Sequence, residues 1–118
     1  MATIELTESS FEQTVNDNDI VLVDFWAAWC GPCRMFAPIF QDAAEQHPDV
    51  VFGKVDTEAE QGLAGAAGIT SIPTLMAFKE QILVFSQPGA LNAPQLAEVI
   101  AAVKDLDMDV VREKIAAQ

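Results

Sequence analysis

Two cysteines separated by two residues are the clearest chemical feature of the chain, which has no other thiol. Apolar residues recur at helical spacing from Met35 to Ala44, so the pair lies at the N-terminus of a predicted helix. Unpaired N–H groups and the positive end of the helix dipole favour a thiolate there, and the first cysteine of such a pair is usually the exposed nucleophile. We therefore predict reversible dithiol oxidation, in which Cys30 attacks a disulfide and Cys33 resolves the mixed disulfide.

The residues between the cysteines suit this chemistry. Pro32 fixes the backbone in the first helical turn, where its missing N–H costs little, and Gly31 lets the backbone of a partner approach closely. Half of a metal site is the alternative for a close cysteine pair. Zinc requires four ligands, however, and His47 is the single histidine. We therefore expect no bound metal, and we interpret His47 as a solvated residue before a helix-ending proline.

One carboxylate interrupts an apolar segment. Residues 20–25 are β-branched and almost continuously apolar, which is typical of a strand covered on both faces, and Asp24 is the only charge among them. Burial favours the neutral acid and raises its pKa. We therefore predict a carboxyl that titrates near neutral pH and exchanges a proton with Cys33. A solvated carboxylate at a strand end is the alternative interpretation.

Predicted strands and helices alternate along the chain. Their order implies an α/β fold in which a mixed sheet lies between helices, with reactive positions at the strand ends. Strands are predicted at residues 3–6, 20–25, 50–55, 74–79 and 83–86, and helices at 9–15, from the cysteine pair to His47, at 58–67 and from Asn92 to Leu106.

Local sequence patterns indicate where two of the helices begin and where one pair of strands is connected. Ser9 with Glu12 has the spacing of a capping box before the first helix, and Asn92 with Gln95 has the same spacing before the last one. The link at residues 80–81 lacks the Asn-Gly or Asp-Gly pair of a tight primed turn. The hairpin around this link is therefore predicted from its strands alone.

Acidic residues dominate the charge of the chain. Its 118 residues include 18 Asp or Glu and 6 Lys or Arg, a formal charge of −12, and Arg34 is the first basic residue. Nucleic acid and anionic membranes bind basic surfaces, so we expect neither as a partner. The N-terminus lacks the basic start of a secretory signal, and no apolar run approaches the roughly 18 residues of a membrane span. We expect a cytoplasmic monomer.

The segment 23–33, Val-Asp-Phe-Trp-Ala-Ala-Trp-Cys-Gly-Pro-Cys, resembles the active-site signature of the thioredoxin family. Residues 71–74, Ser-Ile-Pro-Thr, are similar to the family's cis-proline loop, and residues 89–91 to its glycine segment beside the substrate groove. The resemblance implies a thioredoxin fold with a central mixed β-sheet and helices on both faces. Since the chain continues past the family domain, we expect that domain at residues 1–106 and a helical or frayed extension at 107–118.

The resemblance also implies an activity. A member of this family reduces disulfides in target proteins by thiol–disulfide exchange, binds no cofactor, and carries its electrons in the disulfide between Cys30 and Cys33. An NADPH-dependent flavoprotein, thioredoxin reductase, restores the dithiol. The Gly-Pro dipeptide between the cysteines resembles that of the reducing members. A binding module that holds unfolded chains in the same groove is the main alternative, and an extracytoplasmic electron carrier is a further one.

The family's functional positions map onto this chain as follows. Lys54 lies near the buried Asp24 and joins it as a catalytic residue, while Trp26 packs beneath the disulfide. The residues implied to bind substrate surround the cysteines and are Trp29, Gly31, Pro32, Ile72, Pro73 and Gly89.

Overall fold

A mixed sheet of five strands forms the centre of the computed structural model, which describes residues 2–118. The α/β architecture predicted from the alternating elements is confirmed. The strands are β1 (Thr3–Glu5), β2 (Ile20–Trp26), β3 (Val51–Asp56), β4 (Thr74–Lys79) and β5 (Ile82–Pro88), and the helices are α1 (Phe11–Asp17), α2 (Gly31–Gln46), α3 (Gln61–Ala66), α4 (Ala93–Asp105) and α5 (Met108–Ala116).

Strand β2 is the middle strand of the sheet, whose order is β1-β3-β2-β4-β5. It runs parallel to β3, with Asp24 opposite Lys54, and antiparallel to β4, with Phe25 opposite Thr74. The C-terminal end of β2 and the N-terminal end of β4 therefore lie at the same end of the sheet. Lys79, opposite Ile20, lies at the other end.

Two apolar cores cover the two faces of the sheet. Leu22 of β2 packs with Phe36 and Phe40 of α2 on one face, while Phe25 packs with Phe11 of α1 on the other. This division follows from the strand geometry, because successive side chains point to opposite faces. Helices on both faces explain why β2 is apolar at nearly every position.

Helix α2 is the longest helix described, and it continues through a proline. Pro38 lies inside the helix, although proline removes one backbone hydrogen bond there. The neighbouring Phe36 and Phe40 are both buried against the sheet. We attribute the tolerance of α2 for this proline to their packing. The helix ends at Gln46, one residue before the predicted end at His47.

The two predicted capping boxes have different outcomes. That of α4 is confirmed: Asn92 Oδ1 accepts from the Gln95 N–H at 2.8 Å, and Gln95 Oε1 accepts from the Asn92 N–H at 2.9 Å. The box at Ser9 is wrong, because α1 begins at Phe11 and its cap is Ser10, which makes no side-chain capping bond. Ser10 Oγ instead accepts from the Thr7 N–H at 3.0 Å, within the turn before the helix.

The hairpin between β4 and β5 forms around a two-residue link without glycine. Lys79 and Ile82 face each other across the turn. Glu80 and Gln81 have φ values of 49° and 71°, the left-handed region that a primed turn requires. Residues with a Cβ thus occupy positions where Asn or Gly is favoured, which is why the sequence signal for this turn is weak.

A buried lysine joins the far end of the sheet to the end of α4. Lys79 is 7% exposed, and its Nζ donates to the carbonyls of Val103 at 2.8 Å, Lys104 at 2.8 Å and Leu106 at 3.1 Å. These carbonyls belong to the last helical turn and the cap, where the regular helical hydrogen bonds end, and the Val103 carbonyl also accepts from the Leu106 N–H at 3.2 Å. Lys79 therefore closes α4 at the point where the chain turns into α5.

Helix α5 contacts the same end of the sheet. Asp107 caps it by accepting from the N–H groups of Asp109 and Val110, and Met108 is buried. Arg112 Nη1 donates to Glu80 Oε1 of the hairpin at 2.7 Å. Residues 108–116 are thus helical and anchored opposite the end where β2 meets α2.

Candidate active site

The two cysteines lie at the N-terminal end of α2, which follows β2 after a short loop. Cys30 is the N-cap of the helix, and its Sγ accepts from the Cys33 N–H at 3.2 Å. The two are disulfide-bonded, with their Cα atoms 5.2 Å apart. Pro32 lies in the first helical turn, as predicted. A backbone N–H aimed at Cys30 Sγ favours the thiolate when the disulfide is open.

Both cysteines are buried, whereas the sequence predicts an exposed Cys30. Cys30 is 4% exposed and Cys33 is 3% exposed, so neither residue stands free at the helix end. Ile72 from the loop before β4 covers Cys30, whose Sγ lies 3.7 Å from the Ile72 carbonyl oxygen. The two cysteines differ in their contact with a surface groove: Cys30 lines this groove, and Cys33 does not.

Asp24 is fully buried on β2, which excludes the solvated alternative. Neither carboxylate oxygen has a hydrogen-bond partner within residues 2–118. Burial raises the pKa of Asp24 from its ordinary value near 3.8 to about 7, although the positive charge of Lys54 opposes this rise. The carboxyl therefore changes its charge in the pH range where thiols exchange with disulfides.

Lys54 lies beside Asp24 in the sheet, but its ammonium contacts an aromatic ring. The Nζ atom is 4.9 Å from the centre of the Trp26 ring, a cation–π geometry. Trp26 is half-buried and packs against the cluster formed by Ala27 and the two cysteines, in keeping with the packing role predicted for it. A chain of contacts thus leads from Lys54 through Trp26 to the disulfide.

The loop before β4 and the end of β5 complete the surroundings of the cysteines. The Ile72–Pro73 peptide bond is cis, as the resemblance implied. The Gly89 N–H donates to the Pro73 carbonyl at 2.7 Å, and Gly89 has a φ of 100°, which glycine adopts readily. Trp29 is 67% exposed next to Cys30. The structure therefore brings segments 26–33, 72–73 and 89 together.

A groove of about 620 Å³ runs beside Cys30 toward α3. Trp29, Gly31 and Pro32 line it on the side of the cysteines, together with Ile72 from the loop before β4. The opposite side holds residues that the sequence analysis did not identify, since nothing in their local pattern indicates a site. These residues include Thr57, Glu58, Gln61, Thr70 and Ser71.

Arg34 has a structural role beside the cysteines that its local sequence does not indicate. Its Nη1 donates to the Ala28 carbonyl at 2.8 Å, across six residues. The bond ties the first turn of α2 to the loop that carries Trp29. The sequence shows that Arg34 follows Cys33 directly. It does not show that Arg34 binds the Ala28 carbonyl, because this contact depends on how the loop before α2 folds back.

His47 lies far from the cysteines, at the opposite end of α2. A helix of this length places the two ends roughly 24 Å apart. The His47 ring stacks on Phe52, and its Nδ1 lies 3.0 Å from Lys104 Nζ. Residues 2–118 contain no group of three or more His, Cys, Asp or Glu side chains arranged to hold a metal ion.

Comparison with known proteins adds to this geometry. The family model for Thioredoxin matches residues 2–102. The chain belongs to the thioredoxin family. A thioredoxin is a protein-disulfide oxidoreductase that works by thiol–disulfide exchange, so this activity belongs to the chain, with Cys30 and Cys33 as its disulfide-forming pair and no cofactor required. Recharging by a reductase is implied by the family.

Individual thioredoxins match over most of the chain. "Putative thioredoxin 2" of Streptomyces coelicolor is 58% identical over 117 residues, which is 99% of this chain and 87% of that protein. The "Thioredoxin" of Alicyclobacillus acidocaldarius is 43% identical over 105 residues, covering 84% and 99%. The structure of a mutant thioredoxin from Halobacterium salinarum, 32% identical, aligns with a TM-score of 0.82 over 90% of this chain and 95% of that one.

The thioredoxin fold predicted from the sequence is therefore confirmed. The structure of a Plasmodium falciparum thioredoxin agrees, with a TM-score of 0.78 and 32% identity over 85% of this chain and 97% of that one. Among the helices of residues 2–118, none has the length and apolar character needed to cross a membrane.

Proposed function

We propose that Cys30 is the attacking thiolate of this thioredoxin and Cys33 the resolving thiol. The observation that supports this assignment most directly is that Cys30 lines the groove, whereas Cys33 is buried and does not line it. Cys30 Sγ attacks a target disulfide, its bond to one target sulfur forms, and the other target sulfur leaves as a thiolate and takes up a proton. Cys33 then attacks Cys30 Sγ and releases the second target thiol. Two electrons pass to the target as the Cys30–Cys33 bond forms.

Asp24 is the proposed proton acceptor for Cys33, and Lys54 is the residue proposed to adjust the pKa of Asp24. The resolving step requires that Cys33 lose its proton, and a buried carboxyl with a pKa of about 7 is matched to that task. The Lys54 charge keeps the pKa of Asp24 from rising further. When a reductase reopens the disulfide, the same carboxyl returns the proton.

The substrate-binding residues are proposed from their place around Cys30. An extended target chain can bond to the Ile72 backbone much as an added strand would, beside the Pro73 and Gly89 backbones. Gly31 and Pro32 leave the approach to Cys30 unobstructed, and exposed Trp29 supplies an apolar contact. Trp26 supports the disulfide from within the fold.

Reduction of insulin disulfides tests this function against the binding-module alternative. The wild-type protein, kept reduced by dithiothreitol, should accelerate insulin reduction, and Cys30→Ser should abolish the acceleration. A holdase would retain full activity in that variant when assayed by suppression of aggregation. Cys33→Ser should instead accumulate a mixed disulfide with insulin, and its absence would contradict the division of roles.

Alkylation of the reduced protein tests the assignment of the nucleophile. Iodoacetamide at neutral pH should modify Cys30 first and leave Cys33 protected, because only Cys30 borders the groove and receives a helix N–H. Peptide mapping by mass spectrometry measures the order. Initial modification of Cys33 would overturn the assignment.

The cellular setting is also part of the proposal. We propose electron transport from NADPH, through a flavoprotein thioredoxin reductase, to disulfide-containing proteins of the cytoplasm, with the chain acting as a monomer that binds neither nucleic acid nor membranes. The charge of −12 supports the last two points. NADPH oxidation that requires this protein, a thioredoxin reductase and insulin together would support the route, and sedimentation would test the monomer.

A further inference from the structure

The groove beside Cys30 carries an uneven charge. Glu58, on the far side from Trp29, is the one charged residue that lines it among residues 2–118. The other polar side chains that line the groove are neutral hydroxyls and an amide, from Thr57, Gln61, Thr70 and Ser71. A target segment that enters this groove therefore meets a carboxylate and no compensating cation.

Glu58 differs from the neighbouring carboxylates, which are engaged in local hydrogen bonds. Asp56 Oδ1 accepts from the N–H groups of Glu58 at 2.9 Å and Ala59 at 3.4 Å, and Glu60 Oε1 accepts from the Glu8 N–H at 2.9 Å. The Asp56 carboxylate thus holds the turn between β3 and α3, and the Glu60 carboxylate joins the start of α3 to the loop between β1 and α1. The Glu58 carboxylate makes no ion pair within residues 2–118 and is exposed at the groove.

Two basic side chains that flank the cysteine site are committed elsewhere. Lys54 lies over the Trp26 ring, and Arg34 donates to the Ala28 carbonyl. Neither lines the groove. The Glu58 carboxylate is therefore available to form an ion pair with a target that binds beside Cys30.

We propose that Glu58 is a specificity-determining residue, which favours target disulfides that have Lys or Arg close to the reacting cysteine. The proposal rests on the proposed function, because it assumes that Cys30 attacks a target held in this groove. An exposed pair of opposite charges contributes little to stability but enough to rank substrates. We expect a preference of roughly two- to fivefold for a basic over a neutral target at low ionic strength.

Three disulfide peptides that differ at one position test the preference. Each carries Lys, Gln or Glu next to the reacting cysteine, and the rate of reduction by the pre-reduced protein is followed by acid quenching and chromatography. Wild-type rates should rank Lys, then Gln, then Glu, and the ranking should vanish in about 0.5 M salt, where the screening length is a few ångströms.

Variants then locate the source of the preference. Glu58→Gln should bring the three rates to within about 1.5-fold of one another, and Glu58→Lys should reverse their order. Glu113→Gln is the matched control, since it removes the same charge from α5, whose Arg112 contacts the opposite end of the sheet; it should keep the wild-type ranking.

The possible outcomes separate this inference from the proposed function. If the wild type fails to reduce even the Gln peptide, the proposed function fails. If all three peptides are reduced but Glu58→Gln keeps the wild-type ranking, the inference is overturned and the net charge of the molecule governs the preference instead. Equal wild-type rates would overturn it as well.

Discussion

The charge state of Asp24 dominates the physical chemistry at the scale of single residues. The side chain is buried without a hydrogen-bond partner among residues 2–118, and its ionised form is therefore costly. Lys54 lowers this cost only in part, because its ammonium lies over Trp26. A fold that retains such a group loses stability, and a proton-transfer role at Cys33 is the compensating advantage that we propose.

Replacement of Asp24 by Asn should stabilise the protein in a pH-dependent manner. The folded pKa, about 7, lies above the ordinary value of 3.8. The ionisation cost of the wild type therefore begins above the unfolded pKa, grows through the range between the two values, and levels off above the folded pKa. We expect Asp24→Asn to gain about 2–4 kcal/mol at pH 8 and little at pH 4, as measured by urea denaturation at each pH.

A surface carboxylate provides the control. Asp42→Asn, at an exposed position of α2, should show no such dependence on pH. The Asp24 variant should also resolve the mixed disulfide more slowly in stopped-flow measurements. Lower stability of Asp24→Asn at pH 8, or unchanged resolution, would refute the buried-base role.

At the scale of elements, the turn between β4 and β5 stores an unfavourable backbone conformation. Gln81 has a φ of 71° without being glycine, and a side chain with a Cβ costs about 1–2 kcal/mol in this region. We expect Gln81→Gly to stabilise the fold by about 0.5–1 kcal/mol. This gain is smaller than the strain that glycine relieves, because glycine loses more conformational entropy on folding than glutamine does.

Gln81→Ala separates backbone strain from the side chain in this experiment. Both variants lose the weak bond of Gln81 Nε2 to the Asn16 carbonyl at 3.4 Å, but only glycine relieves the left-handed conformation. Thermal unfolding should therefore show a raised midpoint for the Gly variant and no increase for the Ala variant. Equal midpoints would show that the turn is not strained at this position.

The end of α4 depends on Lys79. In Lys79→Met, the carbonyls of Val103, Lys104 and Leu106 lose a shared donor in a buried place. We expect a loss of about 2–4 kcal/mol of unfolding free energy, measured by urea denaturation, with insulin reduction retained because Lys79 lies at the far end of the sheet from the cysteines.

Lys104→Met serves as the comparison. Lys104 pairs with Asp49 at 3.0 Å, and their side chains are 31% and 65% exposed. Such a pair contributes about 0–1 kcal/mol. Similar losses for the two lysine variants would contradict the capping role of Lys79.

At the scale of the whole molecule, the redox site and the C-terminal helix lie at opposite ends of the sheet. The cysteines follow the C-terminal end of β2, whereas Arg112 of α5 contacts Glu80 beyond β4. We propose from this arrangement that the thioredoxin domain comprises residues 1–106 and that the extension at 107–118 stabilises it without taking part in its chemistry.

A chain truncated after Leu106 tests this division. It keeps the three carbonyls that Lys79 binds but loses buried Met108 and the Arg112 pair. We expect a loss of about 2–4 kcal/mol in unfolding free energy, while insulin reduction stays within about twofold. A chain ending at Ala116 keeps all of α5 and should match the full protein. Loss of reduction in a truncated chain that is folded by circular dichroism would move the domain boundary.

The amino-acid sequence alone predicts those features that depend on neighbours a few residues apart. The cysteine pair at a helix start, the capping box of Asn92 with Gln95, and a buried strand interrupted by Asp24 can each be recognised within one segment. Alternation of such segments is enough for the α/β class, and the similarity to thioredoxins indicates which residues to examine around the cysteines.

Contacts between distant segments were decided only by the tertiary structure. Ile72 covers Cys30 across 42 residues, which reverses the expectation of an exposed thiol. Lys79 reaches carbonyls 24 to 27 residues away, and Glu58 joins the groove from a turn with no signal of its own. The physical reason is the same in each case: strand register and helix packing decide which side chains meet, and neither is encoded by the residues of one segment alone.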